Sequence, residues 1–239
     1  MRRLKPVRYV AAGLAAGGLG LCSAAEEGRV DQVERAEVEA GEAELELQTI
    51  HIPPGDGDAA VWVANLTLEY GVSETLALGI EIETEAEDGE DLDIDSVGLQ
   101  VKWVTRPDRE TRLGIQSGLF VTADGGQAGS ETFLIAETRR GRLDLVANAV
   151  IETGPGDWDE VTAGYSLRAD HPAGKGLMLG LEAGGGFSGE GDDAHWIGPV
   201  LSLWPETAET LPAVELSLFL PLTSETPDLQ LRLELERAF

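Results

Sequence analysis

Charged side chains recur at every second position in several apolar stretches of the chain. Glu81 and Glu83 alternate with isoleucines, and Arg232 and Glu234 alternate with leucines. Because successive side chains of a β-strand point to opposite faces, such stretches gather their charges on one face of a sheet. The residues that share this polar parity are Glu69, Glu81, Glu83, Lys102, Asp144, Arg168, Glu182, Glu215, Arg232 and Glu234, followed by Glu236. If this face lines a channel, its acidic excess favours cations or polyamine-like solutes.

The same residues also have a purely structural interpretation. A closed sheet of intermediate size has a narrow interior that polar side chains can fill, and each buried charge then needs a partner. The predicted neighbouring strands suggest that Glu81 or Glu83 pairs with Lys102. A charged conduit and a packed polar interior are therefore both compatible with the pattern.

Other residue types offer little chemistry. The three histidines, His51, His171 and His195, lie on different strands or turns, and none has a metal-type partner at close spacing. An embedded hydrolase using His51 or His195 at the barrel rim is a third hypothesis, with no second motif behind it. The acidic stretch 84–93 offers oxygen ligands for calcium but lacks EF-hand spacing. We predict no enzyme activity, no catalytic residues, no cofactor and no specific metal site.

The overall charge excludes one class of partner. The 239 residues include 17 basic and 44 acidic side chains, which give a formal charge of −27. Binding to nucleic acid through its phosphates needs clustered Lys and Arg. We therefore expect no nucleic-acid partner. The acidity is either functional or an adaptation to a salt-rich habitat, where screening tolerates it.

The first 24 residues have the pattern of an export signal. Four basic residues precede an apolar stretch at 10–21, and the small residues at 22–24 suit a signal peptidase. We predict cleavage after Ala24; lipid modification of Cys22 is the minor alternative, disfavoured by the bulky Leu21 before it. Residues 25–41 follow as a periplasmic N-terminal segment. The sequence leaves open whether this segment is a short helix, a lumen plug or a disordered lead.

Twelve stretches of the remaining chain alternate with a period of two. They lie at 42–52, 60–70, 76–83, 97–103, 111–122, 131–138, 143–151, 160–168, 176–187, 195–204, 214–220 and 229–235. Many of them are long for soluble strands but suit a tilted membrane crossing. Trp62 with Tyr70, and Trp196 with Trp204, bracket apolar faces at the spacing expected of two interfacial girdles.

The connections between these strands fall into two alternating sets. The stretches 53–58, 84–93, 123–131, 152–160, 187–194 and 222–228 contain many acidic residues and neither lysine nor arginine. The alternate connections contain Arg106, Arg109, Arg112, Arg139, Arg140, Arg142, Arg168 and Lys175. Two chemically distinct ends are typical of an up-and-down barrel. We therefore predict an all-β fold, an up-and-down antiparallel transmembrane β-barrel of about 12 strands, over residues 42–239.

Two segments resemble known barrels. Residues 229–239 resemble the terminal strand of Gram-negative outer-membrane barrels, in which alternating hydrophobes end on an aromatic residue, here Phe239. This resemblance implies an outer-membrane location, a periplasmic C-terminus and recognition by the barrel-assembly machinery. The segments His195-Trp-Ile-Gly-Pro199 and Phe219-Leu-Pro-Leu-Thr223 resemble compact barrels assigned as transporters of the phenol-degradation meta-pathway type.

These features predict an outer-membrane transport barrel, porin-like or substrate-selective, whose acidic lumen and outer loops favour cationic or neutral solutes. Its expected partners are outer-membrane lipids, the barrel-assembly machinery and a small-molecule solute. The alternative is a structural or adhesive barrel that does not conduct.

Overall fold

The computed structural model describes residues 33–54, 59–87, 91–105, 110–123, 126–154, 157–187, 193–205 and 211–239. These residues form the strands β1 (Ala43–Ile52), β2 (Val61–Ser73), β3 (Leu76–Glu87), β4 (Asp93–Val104), β5 (Thr111–Thr122), β6 (Ala128–Arg140), β7 (Leu143–Gly154), β8 (Asp157–Gly174), β9 (Leu177–Phe187), β10 (Ala194–Leu203), β11 (Ala213–Pro221) and β12 (Gln230–Ala238). Within the described ranges, no helix is long and apolar enough to cross a membrane.

Each strand pairs antiparallel with its neighbours in sequence, and β1 pairs with β12 to close the barrel. At this closing seam Glu44 lies opposite Ala238, and His51 lies opposite Leu231. The backbones of Ala43 and Phe239 exchange hydrogen bonds of 3.4 and 2.8 Å at the end of the seam. The predicted up-and-down antiparallel barrel of 12 strands is confirmed.

The two faces of the wall differ as the alternation predicts. In β4 and β5 the outward side chains of Leu99 and Leu119 are 66% and 61% exposed. In β7 the inward side chains of Val146, Asn148 and Val150 are buried. An apolar outer face around a polar interior is the arrangement that a bilayer demands of a spanning barrel.

Trp196 lies on the opposite face from the one predicted. It points into the barrel, where it is 2% exposed and packs edge-on against Phe219 with ring centroids 4.7 Å apart. Gly184 on the adjacent strand makes room, because a Cβ there would lie 2.5 Å from the indole. Both faces of β10 are apolar, so alternation gave no basis for choosing the parity of this strand. Trp62 and Tyr70 do face outward and are half-exposed. Trp204 has the parity of Trp196, lies just past the end of β10 and borders the lumen cavity, so it also lies on the opposite face from the one predicted.

Strand β8 is longer than predicted. Residues 168–174, predicted as part of a connection, continue the strand to Gly174 and remain paired with β9. Arg168 and Asp170 point into the barrel and are buried. Their charges therefore belong to the lumen side of a strand and do not mark a turn. Arg106 and Arg109 lie outside the described residues, whereas Arg140 and Arg142 flank the exposed β6–β7 turn.

Candidate functional site

The barrel lumen has two different walls. Along β8 to β12, inward charges pair with one another in a buried cluster, here called the packed wall: Arg168, Asp170, Glu182, Ser202, Glu215 and Arg232. Along β12 and β1 to β3, inward carboxylates line open space, and we call this the acidic wall: Glu234, Glu236, Glu44, Glu46, Glu69, Glu81 and Glu83. Arg168 and Glu215 of the packed wall border the same open space, but their charges are paired with each other.

Arg168 is the centre of the packed wall. Its Nη1 and Nη2 atoms donate to the two oxygens of Glu215 at 2.7 and 2.6 Å. Its Nε donates to Asp170 at 2.9 and 3.0 Å, and Nη2 also donates to Ser202 at 3.0 Å. A bidentate arginine–carboxylate pair with its other donors bonded is a strong, directional contact. Arg168 therefore links β8 to β10 and β11.

Arg232 extends the packed wall to β9. It binds both oxygens of Glu182 at 2.9 and 2.8 Å and reaches Glu215 at 3.1 Å. The Arg232 and Glu182 side chains are 1% and 0% exposed. The Arg232 guanidinium also lies 5.1 Å from the centre of the Phe219 ring. Paired side chains therefore occupy this part of the barrel interior.

The open part of the lumen is a cavity of about 500 Å³. It extends from the acidic wall across β4 to β7, where Gln100, Gln116, Phe120 and Phe133 contribute to its lining. Carboxylates far outnumber basic side chains around it. Such a cavity, enclosed by low-dielectric walls, concentrates cations and repels anions.

Residues 33–42 lie inside the lumen against β4 to β8. They comprise Glu42 and the part of the predicted stretch 25–41 that the structure describes, and from here on the name N-terminal segment refers to 33–42. Arg35 forms an ion pair with Asp170 and another of 3.5 Å with Glu137. Glu37 accepts from Arg112 at 2.5 Å, and the carbonyl of Glu34 accepts from Asn148 at 3.0 Å. The segment is thus held by ion pairs and hydrogen bonds from several strands, and it narrows the passage.

Apolar contacts also hold the N-terminal segment in place. Ala36 is 1% exposed and packs in a buried cluster with Val104, Phe133, Ile135 and Val150, against which Val38 also packs. The Ala36 backbone N–H donates to Glu137 at 3.3 Å. Because inward apolar residues are unusual in a water-filled lumen, this cluster indicates a seat shaped for the segment.

Lys102 does not pair with Glu81 or Glu83, and that prediction is wrong. Its Nζ lies 3.1 Å from Glu34 of the N-terminal segment and 3.2 Å from Glu69 on β2. The register places Glu81 opposite Gly98, four residues from Lys102 along β4. Glu81 instead accepts a hydrogen bond from Gln100. The small Ala77 opposite Lys102 leaves space for the lysine to extend over β3.

The N-terminal segment leaves the lumen past Gly71. The Gly41 N–H donates to the Gly71 carbonyl at 2.7 Å, and the Gly71 N–H donates to the Glu42 carbonyl at 3.0 Å. A Cβ on Gly71 would lie 2.0 Å from the carbonyl oxygen of Glu39. Partial burial and a hydrogen bond with Glu39 raise the pKa of Glu42 at this point. Only glycine at position 71 permits this close crossing of two backbones.

Replacing Gly71 by valine should therefore displace the N-terminal segment from its seat. We expect a cysteine at position 36, introduced as Ala36→Cys in a Cys22→Ser background, to be slow to react with a thiol reagent because the site is buried. Adding Gly71→Val should speed the labelling several-fold, whereas Gly118→Ala, where a Cβ meets only ordinary contacts, should not. Equal labelling rates in all three proteins would mean that Gly71 does not hold the segment in place.

The predicted lumen residues divide between these environments. Glu69, Glu81, Glu83, Lys102, Arg168, Glu215 and Glu234 border the cavity. Glu182 and Arg232 are buried in the packed wall. Asp144 lies near the β6–β7 turn and pairs with Arg139 at 2.5 and 2.9 Å. Sequence reasoning missed Glu34, Arg35 and Glu37, because the N-terminal segment has no strand-like alternation that would assign it a face.

Two of the three histidines, His51 and His195, take part in aromatic contacts at the wall. His51 stacks on Trp62 with ring centroids 4.0 Å apart, and His195 lies 5.7 Å from Tyr165 and 5.4 Å from Phe187. The part of the chain that the structure describes contains no group of three or more His, Cys, Asp or Glu residues able to hold a metal ion. Asp88 and Glu90 of the acidic stretch 84–93 lie outside that part.

Solved outer-membrane channels and porins have the same fold. An outer-membrane channel from Pseudomonas putida F1 superposes with a TM-score of 0.61 at 14% identity, covering 88% of this chain and all of that one (100%). The KdgM porin superposes with a TM-score of 0.54 at 11% identity, covering 82% of this chain and 99% of its own. The same porin in complex with disordered oligogalacturonate superposes with a TM-score of 0.52 at 9% identity, covering 83% of this chain and 98% of its own.

The fold is that of outer-membrane channels. At these identities the similarity establishes the architecture and does not identify the solute. No protein-family model matches the chain, and no curated protein matches it in sequence.

Proposed function

We propose that this protein is an outer-membrane channel that passes small cationic or neutral solutes. The observation that carries the proposal is the cavity of about 500 Å³ lined by the acidic wall. The packed wall fills the other half of the interior, so a solute has to move beside the carboxylates of β12 and β1 to β3. The shared fold of channels and porins supports transport as the function.

The charge of the lining decides which solutes are favoured. A cation entering the cavity gains from the field of the carboxylates, whereas an anion must overcome it. The KdgM porin has been solved with oligogalacturonate, which carries one carboxylate per sugar. The acidic wall argues against a polyanion of that kind as the solute of this protein.

Two segments near the C-terminus suggest a family relationship. The segments at 195–199 and 219–223 resemble transporters of the phenol-degradation meta-pathway type, and we propose that the chain is related to them. His195 and Phe219 are here parts of the wall. The His195 carbonyl accepts from Thr226 at 2.9 Å, and Phe219 packs against Trp196, so the resemblance concerns architecture and transfers no binding residue.

The second candidate, a structural or adhesive barrel, is favoured by one observation. The N-terminal segment occupies part of the lumen and is held there by Lys102, Arg112 and Asn148. If it never moves, the barrel is plugged. Conductance of the refolded protein in planar bilayers separates the two candidates, because a plugged barrel folds and inserts but gives no openings.

Neutralising the acidic wall should weaken cation selectivity. We expect the double variant Glu81→Gln, Glu83→Gln to shift the reversal potential in a salt gradient towards zero, since two carboxylates on the solute path are lost. The matched control is Glu74→Gln, which removes a carboxylate from the exposed β2–β3 turn. An unchanged reversal potential in the double variant would show that this wall does not face the permeating ions.

A further inference from the structure

Several carboxylates of the acidic wall face each other directly across the sheet. Glu236 on β12 lies opposite Glu46 on β1, and Glu44 lies opposite Glu69 on β2. Glu234 lies opposite Glu215. Like charges at directly opposed positions destabilise a sheet. An arrangement of this kind is relieved when a positive group lies between the carboxylates.

The packed wall supplies such groups from the chain itself, and in the acidic wall Lys102 does so. Lys102 places its ammonium between Glu34 and Glu69, at 3.1 and 3.2 Å. Among the residues that the structure describes, Glu44, Glu234 and Glu236 form no ion pair within 4.0 Å. Glu236 lies opposite Glu46, between the inward positions of Glu44 and Gln48 on β1, and Glu234 is the next inward residue on β12. Lys102 thus shows how an ammonium group is bound in this lumen, and the carboxylates along β12 and β1 offer the same chemistry to a solute.

A buried amide beside these carboxylates also lacks a partner. Gln48 is 3% exposed and borders the cavity, and in the described structure its Nε2 atom has no hydrogen-bond partner. Asn65 lies opposite Gln48 on β2, and its Oδ1 atom likewise has no partner there. An unsatisfied buried donor or acceptor is costly. One hydroxyl group placed between the two amides accepts from Gln48 and donates to Asn65.

The next inward position on each strand is apolar. Ile50 and Val63 lie opposite each other, are 3% and 2% exposed, and border the same cavity. Successive inward positions on a strand are about 7 Å apart. Along β1 the lumen therefore presents a carboxylate, an amide and an apolar surface in order, at Glu46, Gln48 and Ile50.

We propose that this part of the acidic wall binds a small ammonium compound that carries a hydroxyl group, an amino alcohol. Its ammonium group lies among Glu44, Glu234 and Glu236. Its hydroxyl group bridges Gln48 and Asn65, and any hydrocarbon substituent beyond the hydroxyl-bearing carbon lies towards Ile50 and Val63, so ethanolamine is the smallest compound that carries both recognised groups. The inference deepens the proposed function and rests on it, because it names the class of solute that the channel selects.

Calorimetric titration of the refolded full chain with three matched compounds tests the subsite. Ethanolamine carries both groups, propylamine replaces the hydroxyl by a methyl group, and ethylene glycol lacks the ammonium. We expect ethanolamine to bind about tenfold more tightly than propylamine, because without the hydroxyl the two amides stay unpaired. Ethylene glycol should give no measurable binding.

Three variants assign the contacts. Glu236→Gln should weaken both amines by about tenfold, since a charge-assisted contact is lost. Gln48→Leu should abolish the advantage of ethanolamine and leave propylamine unaffected. Glu74→Gln, on the exposed β2–β3 turn, should change neither. Retained heat-modifiable migration on gels shows that each variant folds.

Equal affinities for ethanolamine and propylamine, or unchanged binding in Glu236→Gln, would overturn the subsite. Single-channel recordings of the same preparation without amine keep this result separate from the proposed function. A cation-selective channel that binds no amine refutes the subsite alone. Absence of conductance refutes transport, whereas calorimetry still decides whether the amino alcohol binds as described.

Discussion

A protein lacking residues 25–41 should show single-channel conductance several-fold higher than that of the full chain. Residues 33–41, the part of this stretch that the structure describes, occupy the lumen between β4 to β8 and the acidic wall, and the ion pairs of Arg35 and Glu37 hold them there. Removing them widens the passage along their length. The barrel should stay folded, because its closing seam between β1 and β12 involves residues from Ala43 onward.

A full-length variant separates the loss of the segment from the loss of its anchoring. Glu34→Gln, Arg35→Gln and Glu37→Gln together keep the segment but remove its ion pairs to Lys102, Asp170 and Arg112. We expect this variant to flicker between the conductance of the full chain and that of the truncated protein. If the truncated protein conducts no better than the full chain, the segment does not limit the passage.

Replacing Arg232 by methionine should destabilise the barrel by about 3–5 kcal/mol, the range for breaking a buried ion pair from one side. Glu182, which is 0% exposed, would then lose its bidentate partner and keep only the longer ion pair of 3.6 Å with Arg168. Glu215 would lose one of its two arginine partners. Reversible urea unfolding of the barrel in lipid vesicles measures the change in the free energy of unfolding.

Two comparisons make that measurement specific. Arg139→Met removes an arginine whose side chain is 72% exposed, and we expect a loss below about 1 kcal/mol, as for surface ion pairs. Adding Glu182→Leu to Arg232→Met should recover part of the lost stability, because the buried charge that has lost its bidentate partner disappears. Similar losses in Arg139→Met and Arg232→Met would mean that the packed wall is hydrated and contributes little.

The strands of this barrel were predictable because lipid and lumen impose opposite demands on the two faces. Leu231, Leu233 and Leu235 face lipid in β12, whereas Arg232 and Glu234 face inward. A one-residue error in register would expose charges to the bilayer, so the sequence alternates strictly and its period is readable.

The interior was less predictable, because alternation gives the face of a residue and not its partner. Lys102 was expected to pair with Glu81 or Glu83, but a glycine stands opposite Glu81 and the lysine reaches Glu34 and Glu69. Trp196 was assigned to the lipid face because β10 is apolar on both sides. Such choices depend on the packing of neighbouring strands, which a single sequence does not encode locally.

The N-terminal segment was unpredictable for a different reason. Its seat consists of side chains far away in the sequence, including Val104, Phe133 and Val150. In the sequence, these residues are only apolar interruptions on otherwise polar faces. Their meaning emerges when closure of the barrel brings β4, β6 and β7 around Ala36.

The most direct test of transport is the single-channel conductance of the refolded full chain in a planar bilayer, with reversal potentials measured in a salt gradient. We predict discrete openings with a reversal potential on the cation-selective side, because the acidic wall favours cations. Anion-selective openings, or a folded and inserted barrel that never opens, would contradict this prediction.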